Sequence, residues 1–87
     1  MTSLRRGVFV SVEGVDGSGK STQTRLLAGR LGARLTREPG GSTGAEEIRR
    51  LLVEGEAARW SAETEILLFT AARRDHLEKT ILPALAA

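Results

Sequence analysis

The sequence has no cysteine, no tyrosine and only two prolines, and its 87 residues include just three aromatic rings: Phe9, Trp60 and Phe69. Without cysteine, a disulfide scaffold, a zinc–thiolate centre and thiol catalysis are excluded. With so few rings, any core must be aliphatic. Long apolar runs are also missing: the strongly apolar opening segment, residues 7–12, is too short for a membrane span or a signal-peptide core and runs into Glu13. Nor is there a block of one charge. Thirteen Lys and Arg stand against 11 Asp and Glu, a formal +2 with the signs interleaved from Glu13 to Glu78. A basic stripe for nucleic acid is therefore not indicated. The pI of 9.9 reflects a small excess of arginine, which hardly titrates. These absences make the cytoplasm the default compartment, with no nucleic-acid and no membrane partner.

What is present reads as a globular chain of one small unit, 40% hydrophobic and 28% charged, without internal repeats. Val8-Phe9-Val10-Ser11-Val12 is a β-branched run of strand length between Gly7 and Gly14, suited to a parallel sheet buried on both faces. Residues 22–31 place Leu26, Leu27 and Leu31 at helical spacing, with Gly32 as the stop. Residues 33–36 form a second strand candidate, and Arg37-Glu38-Pro39-Gly40-Gly41 reads as a loop. Thr43 with Glu46 has the capping-box pattern ahead of Ile48, Leu51 and Leu52, on a helix ending near Gly55. From Ser61 onward Ile66, Phe69, Arg73, Leu77 and Ile81 recur every three to four residues, predicting a long helix to about Leu85 with a kink at Pro83. Strand, helix, strand, helix, helix is the order of an α/β fold on a parallel sheet. A third strand would be expected where the chain stops.

Gly14-Val15-Asp16-Gly17-Ser18-Gly19-Lys20-Ser21 satisfies G-x-x-x-x-G-K-[ST] between an apolar strand and a helix, the context a phosphate-binding loop requires. The spelling has a chemical reason. Successive backbone N–H groups must converge on phosphate oxygens, and side chains at Gly14, Gly17 and Gly19 would block that approach. The following helix adds its positive N-terminal end, Lys20 reaches the β and γ phosphates, and the Ser21 hydroxyl can ligate Mg²⁺. GTPases, ATPases and small-molecule kinases share this loop, so it names no substrate.

Three segments taken together narrow the reading. Val12-Glu13-Gly14-Val15-Asp16-Gly17-Ser18-Gly19-Lys20-Ser21-Thr22, then Thr36-Arg37-Glu38-Pro39-Gly40-Gly41, then Leu67-Leu68-Phe69-Thr70-Ala71-Ala72-Arg73-Arg74-Asp75-His76 resemble bacterial thymidylate kinases, in order and across essentially the whole chain. The resemblance implies a P-loop nucleoside triphosphate hydrolase-like fold, a parallel sheet flanked by helices, of which residues 1–87 are the N-terminal part of a single kinase domain. It implies transfer of the ATP γ-phosphoryl group to the 5′-phosphate of dTMP, with ATP bound by Gly14 through Thr22 and Mg²⁺ held by Ser21. Lys20 and Asp16 would be the catalytic residues. It also implies a homodimer.

The acceptor residues have bland readings too. Asp16, an anion beside phosphates, is repelled unless Mg²⁺ or a substrate hydroxyl engages it; it is otherwise a solvated loop carboxylate, and the resemblance sets it against the sugar and the metal. Phe69 and Arg73 stand four apart on one helix face. Periodicity beside Leu67 and Leu68 makes Phe69 a core residue, whereas the resemblance stacks it on thymine and lets Arg73 hydrogen-bond the base. Arg37 and Glu38 are either a surface ion pair or, by resemblance, a wall against the monophosphate and sugar, with Arg49 on the next helix as a second phosphate contact. His76 reads as helix-end polarity, and Trp60 as a staple from a loop to the core. The family's Asp-Arg segment and arginine-bearing lid do not occur in these residues. Two alternatives to the dTMP reading stay open: another P-loop small-molecule kinase, and an inactive, truncated nucleotide-binding fragment.

Overall fold

Short capping signals divide the chain into helices, beginning where Gly19 adopts φ 85° and starts α1 (Lys20–Leu31). The computed structural model describes residues 7–15 and 17–87. The predicted stop at Gly32 is observed: this residue sits at φ 62° and donates to Ala28 O and Gly29 O, while Ala33 N–H also reaches Ala28 O at 2.9 Å. This arrangement satisfies the last carbonyls of the helix. Helix α2 (Thr43–Val53) is capped one residue earlier than its sequence suggests. Ser42, not Thr43, is the N-cap, its hydroxyl accepting from Ala45 N at 3.3 Å. Glu46 instead reaches the Gly41 N–H at 2.8 Å. Ser61 caps α3 (Ala62–His76), accepting from Thr64 N at 3.1 Å.

The long helix expected from Ser61 to about Leu85 is interrupted. A π-helical turn, Leu77–Ile81, separates α3 from the short α4 (Leu82–Ala86), and Leu82 N–H reaches back five residues to Leu77 O. Pro83 explains the position of the break. Its ring has no N–H and would press on the carbonyl four residues back, so a wider turn ahead of it accommodates the ring.

Helices α2 and α3 pack together through small side chains. Ala45 and Ala72 are fully buried, and a Cβ on Gly44 would stand 2.8 Å from Asp75 Oδ2. Ser42 Oγ donates to that same carboxylate oxygen at 2.6 Å. Trp60 fastens the connecting loop to the exposed end of α2 and not to the core: Trp60 Nε1 and Arg59 Nη2 both donate to Leu51 O, at 2.9 and 2.6 Å, and the guanidinium lies 4.9 Å from the indole centroid. The apolar stripe predicted on the long helix is only partly the packed one. Ile66 and Phe69 are exposed, whereas Ala72, His76, Thr80 and Ile81 are buried, so the packed face is built mostly from small and polar residues.

The two predicted strands are a correction. Residues 8–12 and 33–36 form no strand, and no backbone hydrogen bond joins them, among the described residues. A parallel strand exists only beside a neighbour that shares its hydrogen bonds. Accordingly Val8, Phe9, Val10, Val12 and Leu35 are exposed, as are Leu26, Leu27 and Leu31 on α1, which packs on no other helix among the described residues. One tie, Gly7 N–H to Leu85 O at 2.9 Å, anchors the first extended run to α4. The body measures 54 × 28 × 18 Å with a radius of gyration of 15.2 Å, against ~12 Å for a compact domain of this length.

Candidate functional site

The glycine curl between residue 14 and α1 has the backbone shape its spelling predicts. Gly17 and Gly19 sit at φ 82° and 85°, a left-handed conformation that turns neighbouring N–H groups toward one side and is costly for any residue with a Cβ. Ser18 N–H closes a turn onto Val15 O at 3.2 Å. Lys20 leads into α1 and arches back over the curl, its Nζ donating to Gly14 O at 2.7 Å. The N-terminal end of the helix dipole adds positive potential on the same side. Asp16, expected to approach the sugar and the metal, lies outside the described residues.

Two clefts share a wall at Glu38 and Arg73, and the larger of them includes residues of this curl. The larger, about 1140 Å³, is lined by Gly14, Lys20 and Ser21 together with Glu38, Arg73 and His76. The smaller, about 420 Å³, is lined by Glu38, Pro39, Phe69, Thr70 and Arg73. Phe69, which periodicity alone reads as a core residue, is 48% exposed and lines the smaller cleft.

Opposite charges hold the shared wall in place. Glu38 does not pair with its neighbour Arg37. Its Oε1 accepts from Arg73 Nε at 2.8 Å and its Oε2 from His76 Nδ1 at 2.9 Å. Partial burial works to raise the Glu38 pKa, but the contacts from His76 and Arg73 outweigh it and leave the carboxyl below its ordinary value. His76, 1% exposed, makes a second contact through Nε2 with Thr36 Oγ1 at 2.6 Å. The Glu38–Pro39 peptide is cis.

Arg37 is gripped by Glu46, with Nη2 to Oε1 at 2.5 Å and Nε to Oε2 at 3.1 Å. That fork and the Gly41 N–H bring the Glu46 carboxyl down to about 2. Arg49 Nη1 donates to Pro39 O at 2.9 Å and Thr80 Oγ1 to Gly41 O at 2.6 Å, so the loop is fastened from both α2 and the π turn. Gly41, at φ 89°, could not carry a side chain, since a Cβ would strike the His76 ring and the Thr36 hydroxyl.

The geometry therefore brings together Gly14, Lys20, Ser21, Arg37, Glu38 and Arg73 around the larger cleft, and Phe69 with Glu38 and Arg73 around the smaller. Val15, Gly17, Ser18, Gly19 and Thr22 form the curl and first helical turn without lining either cleft, and Arg49 stands behind the loop. Sequence reasoning missed His76 and Thr36, which also line the larger cleft and connect to Glu38 through the His76 ring. The available signal was the run of small or polar residues at Ala72, His76 and Thr80, whose spacing marks the buried side of α3 and the π turn.

The donor chemistry of the curl suits a magnesium nucleotide. Among the described residues no cluster of three or more His, Asp or Glu could hold a metal ion, and none is needed. Mg²⁺ typically takes one or two protein oxygens and completes its shell with phosphates and water, and the Ser21 hydroxyl is an oxygen of that kind on the wall of the larger cleft. Also among the described residues, no helix is long and apolar enough to cross a membrane.

Comparison with known proteins points one way. The family described as Thymidylate kinase matches residues 12–87. Curated thymidylate kinases from Ruegeria pomeroyi and Caulobacter vibrioides are 73% and 59% identical, over 93% and 95% of this chain. The chain spans about two fifths of the length of these relatives, 41% and 42%. A crystal structure of thymidylate kinase from Ehrlichia chaffeensis superposes with a TM-score of 0.75 at 44% identity, covering 84% of this chain and 45% of that one.

Proposed function

The chain belongs to the thymidylate kinase family and shares its P-loop fold, and on that premise we propose that the protein carrying it transfers the γ-phosphoryl group of ATP to dTMP, giving ADP and dTDP. The observation that carries the proposal is the pair of clefts: one runs from Lys20 and Ser21 to Glu38 and Arg73, and the other opens on the same two residues beside Phe69.

In this reading the curl from Gly14 through Thr22 receives the triphosphate of ATP, its N–H groups and Lys20 neutralising the β and γ oxygens. Ser21 would hold Mg²⁺, which supplies further neutralisation of phosphate charge when bound. The thymine lies against Phe69, and Arg73, anchored through Nε, donates to the base from its terminal amino groups. Arg37, on the wall of the larger cleft, spends two of its N–H donors within the protein and offers the remainder to the acceptor phosphate, while Arg49, behind the loop, spends one on Pro39 O and would reach that phosphate only from outside the two clefts. Asp16 orients the sugar. A phosphate oxygen of dTMP attacks the γ phosphorus in line as the bond to the ADP oxygen breaks. The protein's contribution is positioning and charge neutralisation, with Lys20 closest to the migrating group.

The finer architecture belongs to the same proposal. Residues 8–12 and 33–36 become strands of a parallel sheet in the complete kinase domain, which is supported by the exposed Val8, Val10 and Leu35 and by the uncovered apolar side of α1. The proposal extends to the cytoplasm and to a homodimer, for which exposed Ile66 and Leu67 on α3 offer an apolar face.

A substrate panel tests the function. The natural-length protein with ATP and Mg²⁺ should phosphorylate dTMP in preference to purine and cytosine monophosphates, and Lys20→Ala should abolish transfer. Preference for another acceptor would favour a different small-molecule kinase, and near-normal turnover without Lys20 would remove the phosphate loop from the reaction.

A further inference from the structure

Among the polar groups that line the larger cleft, the proposed transfer leaves the His76 imidazole without a task. It is 1% exposed, the most enclosed polar side chain among the described residues. Both ring nitrogens are engaged, Nδ1 with Glu38 Oε2 at 2.9 Å and Nε2 with Thr36 Oγ1 at 2.6 Å. An ionised carboxylate can only accept, so Nδ1 carries the proton toward Glu38. In the neutral ring, Nε2 then accepts from the Thr36 hydroxyl. Gly41 leaves the space this ring fills, because a Cβ there would strike it. Thr36, His76 and Glu38 therefore form a chain of contacts with little room to turn.

The chain ends on Arg73. Glu38 gives one oxygen to His76 and the other to Arg73 Nε at 2.8 Å, so fixing the first contact fixes the plane of the second. Arg73 needs such help, since its side chain is 71% exposed, and an exposed guanidinium on a long stem samples many rotamers. We propose that His76 is a positioning residue for the acceptor base: through Glu38 it holds Arg73 in the orientation that the thymine meets beside Phe69. The inference rests on the reading of Phe69 and Arg73 as the base site, and predicts that His76 governs acceptor binding with little influence on ATP.

The amides of asparagine and glutamine separate the two ends of the ring. In the natural-length protein, His76→Asn puts an N–H donor near the place of Nδ1 and keeps the contact with Glu38. His76→Gln puts its amide near the place of Nε2, keeps Thr36 and loses Glu38. Loss of one charge-assisted hydrogen bond predicts a KM for dTMP raised about tenfold in His76→Gln, with kcat and the KM for ATP within about twofold of the parent. His76→Asn should stay within about threefold on dTMP, although both variants melt lower by similar amounts. Equal increases in the two variants, or parallel shifts for ATP and dTMP, would reduce His76 to packing and overturn the inference. Arg73→Ala in the same assay separates the layers. If it leaves dTMP binding unchanged, the base-site reading falls and this inference with it; if it weakens dTMP binding while His76→Gln does not, only the positioning role falls. Should both His76 variants fail to fold, Thr36→Val, which frees one end of the ring, should raise the KM for dTMP about threefold, and no change would overturn the inference.

Discussion

Replacing Phe69 by alanine separates a cleft wall from a core residue, because the two roles predict opposite balances of stability and binding. An aromatic side chain offers roughly 200 Å², and with Phe69 48% exposed about 100 Å² remains for a ligand to cover. A base laid on one face removes about half of that from water, worth ~1.3 kcal/mol at ~25 cal/mol per Å². Ring stacking adds ~0.5–1.5 kcal/mol beyond area. The sum of ~2–3 kcal/mol corresponds to a loss of roughly 20- to 150-fold in affinity for dTMP. Truncation of a fully buried phenylalanine costs ~3–5 kcal/mol of stability; at half burial the expectation is ~1–2 kcal/mol. Titration calorimetry with dTMP and with a non-hydrolysable ATP analogue, beside denaturant unfolding, measures both quantities on the natural-length protein. A variant that loses over ~3 kcal/mol of stability yet binds dTMP as the parent does would return Phe69 to the core and refute the assignment.

Two further predictions concern the loop that carries Arg37 and Glu38. Gly41→Ala forces a Cβ into a left-handed position against the His76 ring and the Thr36 hydroxyl; the conformational penalty alone is ~1–2 kcal/mol, so unfolding should show a loss above ~2 kcal/mol once the collision is added, and a loss below ~0.5 kcal/mol would contradict this packing. Glu46, whose carboxyl lies at about 2 against an ordinary 4.5, has a depressed folded-state pKa, so its stabilisation is fully present above about pH 4.5 and is lost as pH falls toward about 2. Solvent screening of this half-exposed fork limits it to ~1 kcal/mol. Glu46→Gln should therefore be less stable than the parent at pH 6, with the gap closing as pH falls below 4.5; a gap independent of pH would rule out the ion pair as its source.

Local signals carried much of this structure. The curl at Gly17 and Gly19, the stop of α1 at Gly32 and the starts of α2 and α3 near their caps depend on neighbouring residues only, and each was readable from spelling. The sheet was not, because a strand is a property of a pair, and residues 8–12 and 33–36 have the side chains of buried strands without a partner among the described residues. The buried side of α3 was misread for another reason. Counting large apolar residues selects Ile66 and Phe69, whereas close approach of α2 and α3 buries the small Ala45 and Ala72. His76 was undervalued because a histidine's worth depends on what lies at both nitrogens, here Thr36 and Glu38, 40 and 38 residues away in the chain.

The most direct measurement is a crystal structure of the natural-length protein with dTMP and a non-hydrolysable ATP analogue. The account predicts thymine stacked on Phe69 with Arg73 on its edge, and the terminal phosphate of the donor at Lys20 and the glycine curl. A nucleotide base lodged elsewhere, with Phe69 bare and Arg73 turned to solvent, would contradict it.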